Sequence, residues 1–222
     1  MREGLQNDKL KSIYKTVAKR YDFEHTILTV LSDQRGREMV VANTVKEGNT
    51  VLDCGSGTGS TSLLAARKIG AQGRITLFDL STDMLEVAKT KLQSEVLSER
   101  ATFQTGDMSQ LPFESDSFDV VLSTYSLCPL YDPAKGALEL LRVTKPGGKI
   151  GVAHSTEPIN ALTRTIGNWI EGVAWRIPSI SMGCRSVNVL PALKQAGGKV
   201  LMKKMIGVPF WPFVVFIIEK QG

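Results

Sequence analysis

Apolar residues recur at intervals of three and four near the start of the chain, and this spacing predicts an amphipathic helix over residues 8–23. The apolar stripe consists of Leu10, Ile13, Tyr14, Val17, Ala18 and Tyr21. A second helical region is predicted over residues 24–45, with a break near Ser32 and Asp33. Because an apolar stripe must cover another surface, residues 1–48 are expected to form a helical lid over a pocket.

After residue 48, short apolar runs alternate with helical patterns. Strands are predicted at residues 50–52, 74–78, 101–105, 118–123 and 149–153. Helices are predicted at 61–69, at 82–97 with Ser81 as N-cap, and from Pro133 to just before Lys145 with Asp132 as N-cap. Strands that alternate with helices in this way form a parallel sheet with helices on both faces.

Beyond residue 155 the alternation is interrupted. Residues 156–186 carry an apolar helical stripe, which predicts a helical insert on the substrate side of the sheet. The stripe consists of Ile159, Leu162, Ile166, Ile170 and Val173, with Trp169 and Trp175 nearby. A short helix at 189–196 precedes two strands, 199–206 and 213–219, which are expected to form an antiparallel hairpin at the edge of the sheet.

The composition is that of one soluble globular domain, since 42% of the 222 residues are hydrophobic and 22% are charged. The first residues are polar and do not resemble a signal peptide, and the longest apolar run, 208–218, is about half a membrane span. A cytoplasmic location is therefore expected. The net charge of +5 is spread along the chain, which disfavours a nucleic-acid partner but leaves open a peripheral contact with an anionic lipid surface.

The chain has three widely separated cysteines, Cys54, Cys128 and Cys184, and two histidines, His25 and His154. The sequence has no C-x-x-C pair, so we expect neither a zinc site, nor another metal site, nor a disulfide framework. A reducing compartment fits this pattern.

A glycine-rich loop follows the first predicted strand and precedes a helix. Its sequence is Asp53-Cys54-Gly55-Ser56-Gly57-Thr58-Gly59. Glycine is needed where a turn demands positive φ and where the backbone approaches a ligand that a Cβ would block. The loop predicts the nucleotide-binding corner of an α/β sheet, but its alternate glycines differ from the G-x-G-x-x-G spacing of dinucleotide-binding loops.

Further candidate contacts follow the other strands, because ligands of such sheets bind at the carboxyl ends of the strands. Asp79 ends the second strand about twenty residues after the last glycine, where an acid can accept both hydroxyl groups of a ribose. Leu80 can pack on an adenine ring. Asp107 and Met108, after the third strand, can bind adenine through a carboxylate and a backbone N–H group. Polar residues also end the fourth strand beside the expected reacting centre: Ser123, Thr124 and Tyr125.

Several segments together resemble the class I S-adenosylmethionine-dependent methyltransferases, and in particular their ubiquinone/menaquinone C-methyltransferase-like (methyltransferase type 11) subgroup. The resemblance covers about residues 49–153, in the segments 51–59, 78–85, 106–108, 111–113, 118–121 and 141–148. It implies S-adenosylmethionine as cofactor, and it implies that the cofactor contacts are Asp53, Gly55, Gly57, Asp79, Asp107 and Met108. Tyr21 is similar to a tyrosine that helps to close the pocket in this subgroup. By their positions, further predicted contacts are Ser56, Leu80, Ser123 and Thr124.

The resulting fold prediction is α/β, with a Rossmann-like, doubly wound sheet of seven strands that is mostly parallel and has an antiparallel C-terminal hairpin. Residues 1–222 are expected to form a single methyltransferase domain. Its parts are an N-terminal helical lid (1–48), a cofactor-binding core (49–155), a substrate-side helical insert (156–186), and a C-terminal helix with the hairpin (187–222).

The expected reaction is methyl transfer from S-adenosylmethionine to a small lipophilic acceptor, such as a quinol, a thiol or a lipid-like molecule, because the predicted insert is apolar. An N-P-P-Y-like tetrapeptide, which marks amino-group methylation, does not follow the fourth strand. His154, just past the fifth strand, is the candidate general base. The acceptor and the oligomeric state stay open.

Two other functions fit parts of the pattern. A non-catalytic S-adenosylmethionine-binding protein or a membrane-surface module stays open, because the sequence reveals no essential base. An NAD-dependent oxidoreductase would share the sheet and the acid after the second strand, but it requires the x-x-G ending that this glycine loop does not have.

Overall fold

The computed structural model describes residues 4–29, 31–177 and 181–222, so residues 178–180 of the predicted insert and residues 1–3 and 30 of the predicted lid lie outside the described residues. The strands are β1 (Thr50–Cys54), β2 (Arg74–Asp79), β3 (Ala101–Thr105), β4 (Phe118–Thr124), β5 (Thr144–Ser155), β6 (Gly198–Val208) and β7 (Trp211–Lys220). The helices are α1 (Asn7–Val17), α2 (Tyr21–Leu28), α3 (Ser32–Thr44), α4 (Ser60–Lys68), α5 (Thr82–Ser94), α6 (Pro133–Val143), α7 (Ala161–Trp175) and α8 (Leu190–Gln195).

One sheet joins the strands in the order β3-β2-β1-β4-β5-β7-β6. Strands β1 to β5 are parallel, and β7 pairs in antiparallel fashion with both β5 and β6. The predicted seven-stranded, mostly parallel sheet with an antiparallel C-terminal hairpin is confirmed. The strand order reverses between β1 and β4, and such a switch point opens a crevice at the carboxyl ends of the strands.

Each face of the sheet is covered by helices and has its own apolar core. Helices α3, α4 and α5 cover one face, where Val40 and Ala65 are fully buried. Helices α6 and α8 cover the other face, where Leu140 and Leu193 pack with Phe216 of β7. Each fully buried large apolar side chain of this kind stabilises the fold by about 1.5–3 kcal/mol.

Helix starts follow the sequence closely, whereas one strand is longer than predicted. Ser81 caps α5 by accepting a hydrogen bond from the Met84 N–H group, and Asp132 caps α6 through the Lys135 N–H group. Strand β5 begins at Thr144 instead of residue 149, because Thr144 already pairs with the first residue of β4.

The predicted N-terminal lid divides into two parts. Helix α1 ends at Val17 and α2 begins at Tyr21, so a turn interrupts the helix that was predicted over residues 8–23. Val17 packs with Met84 of α5, which holds α1 against the core. Helix α3 belongs to the helical layer on the sheet, since Val40 is buried there. A role as a lid therefore stays a prediction for α1 and α2 alone.

The described part of the predicted insert contains α7, whose apolar stripe faces outward. The side chains of Leu162 and Trp169 are 74% and 71% exposed, whereas Gly167 lies against the backbone of Phe210. The exposed side chains of this stripe therefore form an outer surface on α7. Within the described ranges, no helix is long and apolar enough to cross a membrane.

Candidate active site

A cleft opens at the carboxyl ends of β1, β2 and β4, beneath α1 and the start of α2. The space within it and its mouth, part of which is open to solvent, is about 610 Å³. Its lining includes these predicted cofactor contacts: Tyr21, Gly55, Gly57, Asp79, Leu80, Asp107, Met108 and Thr124. The remaining wall is largely apolar and includes Leu10, Tyr14, Phe78, Met84, Tyr125, Pro129 and Leu130.

The glycine loop forms the floor of the cleft with a left-handed backbone. Gly55 has a φ of 73°, and a Cβ there would lie 2.2 Å from Cβ of Ser126. Gly57 has a φ of 52°, and a Cβ there would meet no atom within 4 Å. Gly57 lines the cleft, so its backbone is not covered by a side chain and a ligand can approach it closely.

Asp79, the last residue of β2, presents its carboxylate at the edge of the cleft. Its Oδ2 accepts a hydrogen bond from the Gly57 N–H group at 2.8 Å, and its Oδ1 accepts one from the Ser81 N–H group at 2.9 Å. Burial raises the pKa of Asp79, and these backbone donors partly oppose the rise. A carboxylate oxygen has two lone-pair sites, so each oxygen can still accept a hydrogen bond from a ligand hydroxyl group.

Asp107 lies after β3, the strand next to β2, and is bonded to α1. Its Oδ2 accepts a hydrogen bond from Nδ2 of Asn7 at 2.8 Å, and its Oδ1 accepts one from the Ser109 N–H group at 2.7 Å. Burial opposes ionisation of Asp107, but these donors outweigh it and lower the pKa. The carboxylate is therefore charged at neutral pH and is held in place by α1.

The Tyr-Asp pair at the start of α2 joins the lid to the glycine loop. Tyr21 lines the cleft, while Asp22 Oδ1 accepts hydrogen bonds from the hydroxyl groups of Thr58 at 2.5 Å and Ser60 at 3.1 Å. Lys91 of α5 donates to the other oxygen of Asp22 at 2.7 Å. Asp22 thus fixes the position of its neighbour Tyr21 over the cleft.

Some predicted cofactor contacts lie behind the lining of the cleft. Asp53 is fully buried and turned toward α4, where its Oδ2 accepts a hydrogen bond from Ser62 Oγ; burial raises the pKa of Asp53 to about 7. Ser56 Oγ is buried and has no hydrogen-bond partner within the described residues. Ser123 Oγ is 2.7 Å from Ser126 Oγ. The structure therefore gives these side chains a supporting position and no direct access to the cleft.

The prediction of His154 as general base is corrected by its position. Side chains alternate along a strand, so His154 points to the face of β5 that carries Val152, and its ring packs against Phe216 at a centroid distance of 5.7 Å. His154 is 1% exposed, and its Nδ1 lies 2.8 Å from the Ser155 carbonyl oxygen. Burial lowers its pKa to about 4. His154 is a neutral core residue outside the cleft.

Several residues of the cleft were not predicted as contacts. Asn7, Leu10 and Tyr14 come from α1, and Ser126 comes from the loop after β4; Tyr125, already a candidate from the end of the fourth strand, also lines the cleft. The apolar stripe of the first helix had already indicated a lid, which is the available signal for Leu10 and Tyr14. Nothing in the sequence pairs Asn7 with Asp107, because the two residues are 100 positions apart.

Two of the cysteines lie close together beside the cleft. Cys128 and Cys184, far apart in sequence, have their sulfur atoms 2.7 Å apart behind Tyr125, and both are free thiols. In the part of the chain that the structure describes, no group of three or more His, Cys, Asp or Glu side chains is arranged to hold a metal ion.

A switch-point cleft with a glycine loop after β1 and acids after β2 and β3 is the arrangement that defines the class I S-adenosylmethionine-dependent methyltransferases, so the fold agrees with the sequence motifs. A model of the ubiE/COQ5 methyltransferase family matches residues 2–180, and the chain belongs to this family. The match extends beyond the span 49–153 in which the resemblance had been recognised, and it includes α1, α2 and most of the insert.

Curated relatives cover most of this chain. It is 33% identical to the demethylmenaquinone methyltransferase of Clavibacter sepedonicus over 168 residues, which are 75% of this chain and 66% of the relative. It is 30% identical to the 2-phytyl-1,4-naphtoquinone methyltransferase of a Nostoc species over 163 residues, which are 73% of this chain and 71% of the relative. For the ubiquinone/menaquinone biosynthesis C-methyltransferase UbiE of Idiomarina loihiensis, the match is 28% over 67% of this chain, and it spans 60% of the relative's length.

Solved structures share the fold at lower identity. Geranyl diphosphate C-methyltransferase from Streptomyces coelicolor A3(2) has a TM-score of 0.70 and 13% identity, with 84% of this chain and 79% of that chain covered. The [4+2]-cyclase SpnF has a TM-score of 0.69 and 21% identity, with 84% and 80% covered. A cyclase and a methyltransferase thus have this fold in common, so the fold does not by itself determine the reaction.

Proposed function

We propose that this chain transfers a methyl group from S-adenosylmethionine to a ring carbon of a quinol that carries an apolar tail. The observation that carries the proposal is that the carboxylates of Asp79 and Asp107 line the same cleft as the apolar side chains of Leu10, Pro129 and Leu130. The names of the curated relatives support a quinone-type acceptor, since they methylate a demethylmenaquinone or a phytyl naphthoquinone.

The residues of the cleft suit the cofactor. Asp79 would accept the ribose hydroxyl groups, Asp107 and the Met108 N–H group would bind the adenine, and the bare backbone at Gly57 would allow close approach. When bound, the cofactor supplies a methyl group from a positively charged sulfonium, whose sulfur keeps the electron pair of the broken S–C bond and leaves as a neutral thioether.

The work of the protein is to position the acceptor and exclude water. Tyr14 and Tyr21 cover the cleft from the lid, and Asp22 ties that lid to the glycine loop. Holding two reactants in line removes much of the entropic cost of a bimolecular reaction, and an apolar wall keeps water from the reacting atoms. A thioether is a good leaving group, so these two contributions are the main ones.

The proposal is tested by two measurements on the purified chain. Calorimetry compares S-adenosylmethionine with NAD, and a labelled-methyl assay compares a reduced prenylated naphthoquinol with a small thiol and a phospholipid. We expect cofactor binding with no NAD binding, and methylation of the quinol. Binding of NAD alone would exclude a methyltransferase, labelling of the thiol or phospholipid alone would exclude the quinol, and tight cofactor binding without any labelling would favour a non-catalytic binding protein.

A further inference from the structure

Residues 159–177, which include α7, expose large apolar side chains at intervals of three and four residues. This spacing places the side chains along one face of the helix. The six residues of this α7 face are 43–80% exposed, and they are Ile159, Leu162, Ile166, Trp169, Val173 and Ile177. Exposed apolar residues that stand singly are ordinary on a protein surface, whereas a row of them on one face indicates an interaction site.

The opposite face of α7 holds the helix against the rest of the protein. Gly167 lies so close to the hairpin between β6 and β7 that a Cβ there would be 2.6 Å from the carbonyl oxygen of Phe210, and Ala174 is buried. Glu171 accepts hydrogen bonds from the N–H and hydroxyl groups of Ser186 at 3.2 Å and 3.1 Å. The fold is therefore served by this inner face, and the α7 face is left for a partner outside the chain.

The α7 face lies close to the cleft. Helix α7 follows β5, whose carboxyl end lies at the same edge of the sheet as the strand ends that form the cleft. Segment 181–186, which is bonded to α7 at one end, contacts two residues of the cleft lining. The Tyr14 hydroxyl group donates to the Met182 carbonyl oxygen at 3.2 Å, and a Cβ on Gly183 would lie 2.8 Å from Leu10. A partner on the α7 face would therefore lie next to the cleft.

The charges beside the α7 face favour an anionic lipid surface as the partner. Within residues 159–177 the exposed charged side chains are Arg164 and Arg176, and the acid Glu171 is turned inward to Ser186. A two-fold dimer through this face would bring four arginines into one interface without an exposed acid from the same segments. Anionic phosphate groups complement these arginines, and tryptophan and aliphatic side chains enter the boundary between headgroups and acyl chains.

The outer face of α2 adds exposed apolar side chains at the edge where the cleft opens. Its inner face carries Tyr21, which lines the cleft, and His25, which stacks on Tyr21 and lies 3.0 Å from a carboxylate oxygen of Asp33. Phe23 and Ile27 fall on the opposite face at 100° per residue, and they are 72% and 60% exposed. Two helices near the cleft thus expose apolar side chains to the outside.

We propose that the α7 face docks this chain on the surface of a lipid bilayer that carries anionic headgroups. The helix lies in the plane of the interface, with Leu162 and Trp169 at the acyl boundary and with Arg164 and Arg176 at the phosphate groups. An acceptor with an apolar tail partitions into the bilayer, so docking brings the cleft to the acceptor. That last step rests on the proposed function, whereas the docking itself does not.

Co-sedimentation with vesicles tests docking of the full chain without cofactor or acceptor. We expect binding to vesicles of phosphatidylcholine mixed with phosphatidylglycerol, weaker binding to phosphatidylcholine alone, and weaker binding as salt is added. The double variant Leu162→Ser/Trp169→Ser should lower the partition coefficient by about tenfold or more, because two apolar side chains no longer enter the interface. Absence of vesicle binding, or equal binding by this variant, would overturn the proposal.

Two further variants separate the apolar and the charged contributions. Val96→Ser changes a valine that is 81% exposed in the loop before β3, and it should keep the partition coefficient within about twofold. Arg164→Gln/Arg176→Gln should weaken binding to the anionic vesicles by about fivefold for each arginine and reduce the salt dependence. An equal loss in Val96→Ser would show that the α7 face is not the docking surface.

Tryptophan fluorescence identifies the face that enters the lipid. The chain has three tryptophans, and we expect lipids with brominated acyl chains to quench the emission of Trp169. Trp169→Phe keeps an apolar side chain at this position, so it should still bind vesicles but lose most of the quenching. Undiminished quenching in Trp169→Phe would mean that another face is inserted, which would overturn the assignment to α7.

Two controls distinguish docking from self-association and from a folding defect. Light scattering of the full chain without vesicles should give a monomer; a dimer that Leu162→Ser/Trp169→Ser abolishes, together with absent vesicle binding, would overturn the proposal in favour of a second copy. The same variant should keep its thermal unfolding midpoint and its affinity for S-adenosylmethionine, because the two side chains are exposed.

Kinetics connect docking with the acceptor. We expect Leu162→Ser/Trp169→Ser to raise KM for a prenylated quinol held in anionic vesicles, with kcat for a tail-less soluble quinol within about twofold. An unchanged KM for the vesicle-held quinol would overturn the link between docking and the acceptor. If the unsubstituted chain methylates no quinol, the proposed function fails, whereas vesicle binding still decides whether the α7 face docks on lipid.

Discussion

Two carboxylates at the ends of neighbouring strands have different surroundings. Asp79 is the last residue of β2, so its side chain reaches the open edge of the sheet, where the Gly57 N–H group donates to it. Asp53 is followed by one more residue of β1 and is covered by α4, where Ser62 donates to it. Asp53 pairs with Leu77, so Asp79 lies two residues further toward the open edge of the sheet than the carboxylate that supports the loop.

Substitution of Asp79 should weaken cofactor binding. We expect Asp79→Ala to lower the affinity for S-adenosylmethionine by about 1–3 kcal/mol, because a charged hydrogen bond to the ribose is lost. Calorimetry measures this, and Asp83→Ala is the matched control, since Asp83 is an exposed acid in the first turn of α5. Equal affinity in both variants would remove the ribose assignment of Asp79.

His154 should make the protein sensitive to acid. Its pKa is about 4 in the folded chain against an ordinary value of 6.5. Between pH 6.5 and pH 4, the unfolded chain therefore binds a proton at this residue and the folded chain does not. The free energy of unfolding should therefore fall by about 3 kcal/mol between pH 6.5 and 4 through this residue alone. Urea unfolding at pH 7 and pH 4 should show that the difference between His154→Gln and the unsubstituted chain changes by that amount. A difference independent of pH would refute this.

At the scale of elements, the glycine loop can be compared with the bulge near the start of β5. Gly55 and Gly147 have nearly the same φ, 73° and 74°, but a Cβ would clash with Ser126 only at Gly55. We expect Gly147→Ala to cost about 1–2 kcal/mol of stability from backbone strain, with cofactor affinity unchanged. Gly55→Ala should cost more and should also impair cofactor binding, as measured by thermal unfolding and calorimetry.

The steric part of this expectation has its own control. Adding Ser126→Gly to Gly55→Ala removes the atom that the new Cβ would meet, so the double variant should recover stability toward that of Gly147→Ala. No recovery would mean that the clash with Ser126 is not the cause of the defect.

At the scale of the whole molecule, α1 joins the cofactor site to the rest of the fold through few buried residues, Leu10 and Val17. Its Asn7 nevertheless donates to Asp107, which lines the cleft after β3. We expect S-adenosylmethionine to slow hydrogen exchange of the α1 backbone, because a ligand in the cleft adds contacts to a helix with little packing of its own. Helix α8, on the other face of the sheet, is the internal reference.

Hydrogen-exchange mass spectrometry with and without S-adenosylmethionine measures the protection of the α1 and α8 backbones in one experiment. Asn7→Ala should reduce the protection of α1 without changing α8. Equal protection of α1 and α8, or none in α1, would show that α1 does not act as a lid.

The sequence by itself determined the order of the elements, the helix caps at Ser81 and Asp132, and the strand ends that carry Asp79 and Asp107. These features depend on residues close together in the chain, where periodicity and capping act directly. The glycine loop and the acids after the strands also carried the resemblance that implied the methyltransferase class, because each of these motifs is a short stretch of sequence.

Only the tertiary structure decided which side chains reach the cleft. Strands buried on both faces are apolar throughout, so the sequence does not reveal toward which core His154 points. The same limit applies to α7, whose stripe is exposed because the helix packs through its other face at Gly167. The pairing of His25 with Asp33 required the turn between α2 and α3, and its place behind Tyr21 and Tyr125 required β4, about 100 residues away. Contacts between distant segments depend on packing of the whole chain, which local patterns do not encode.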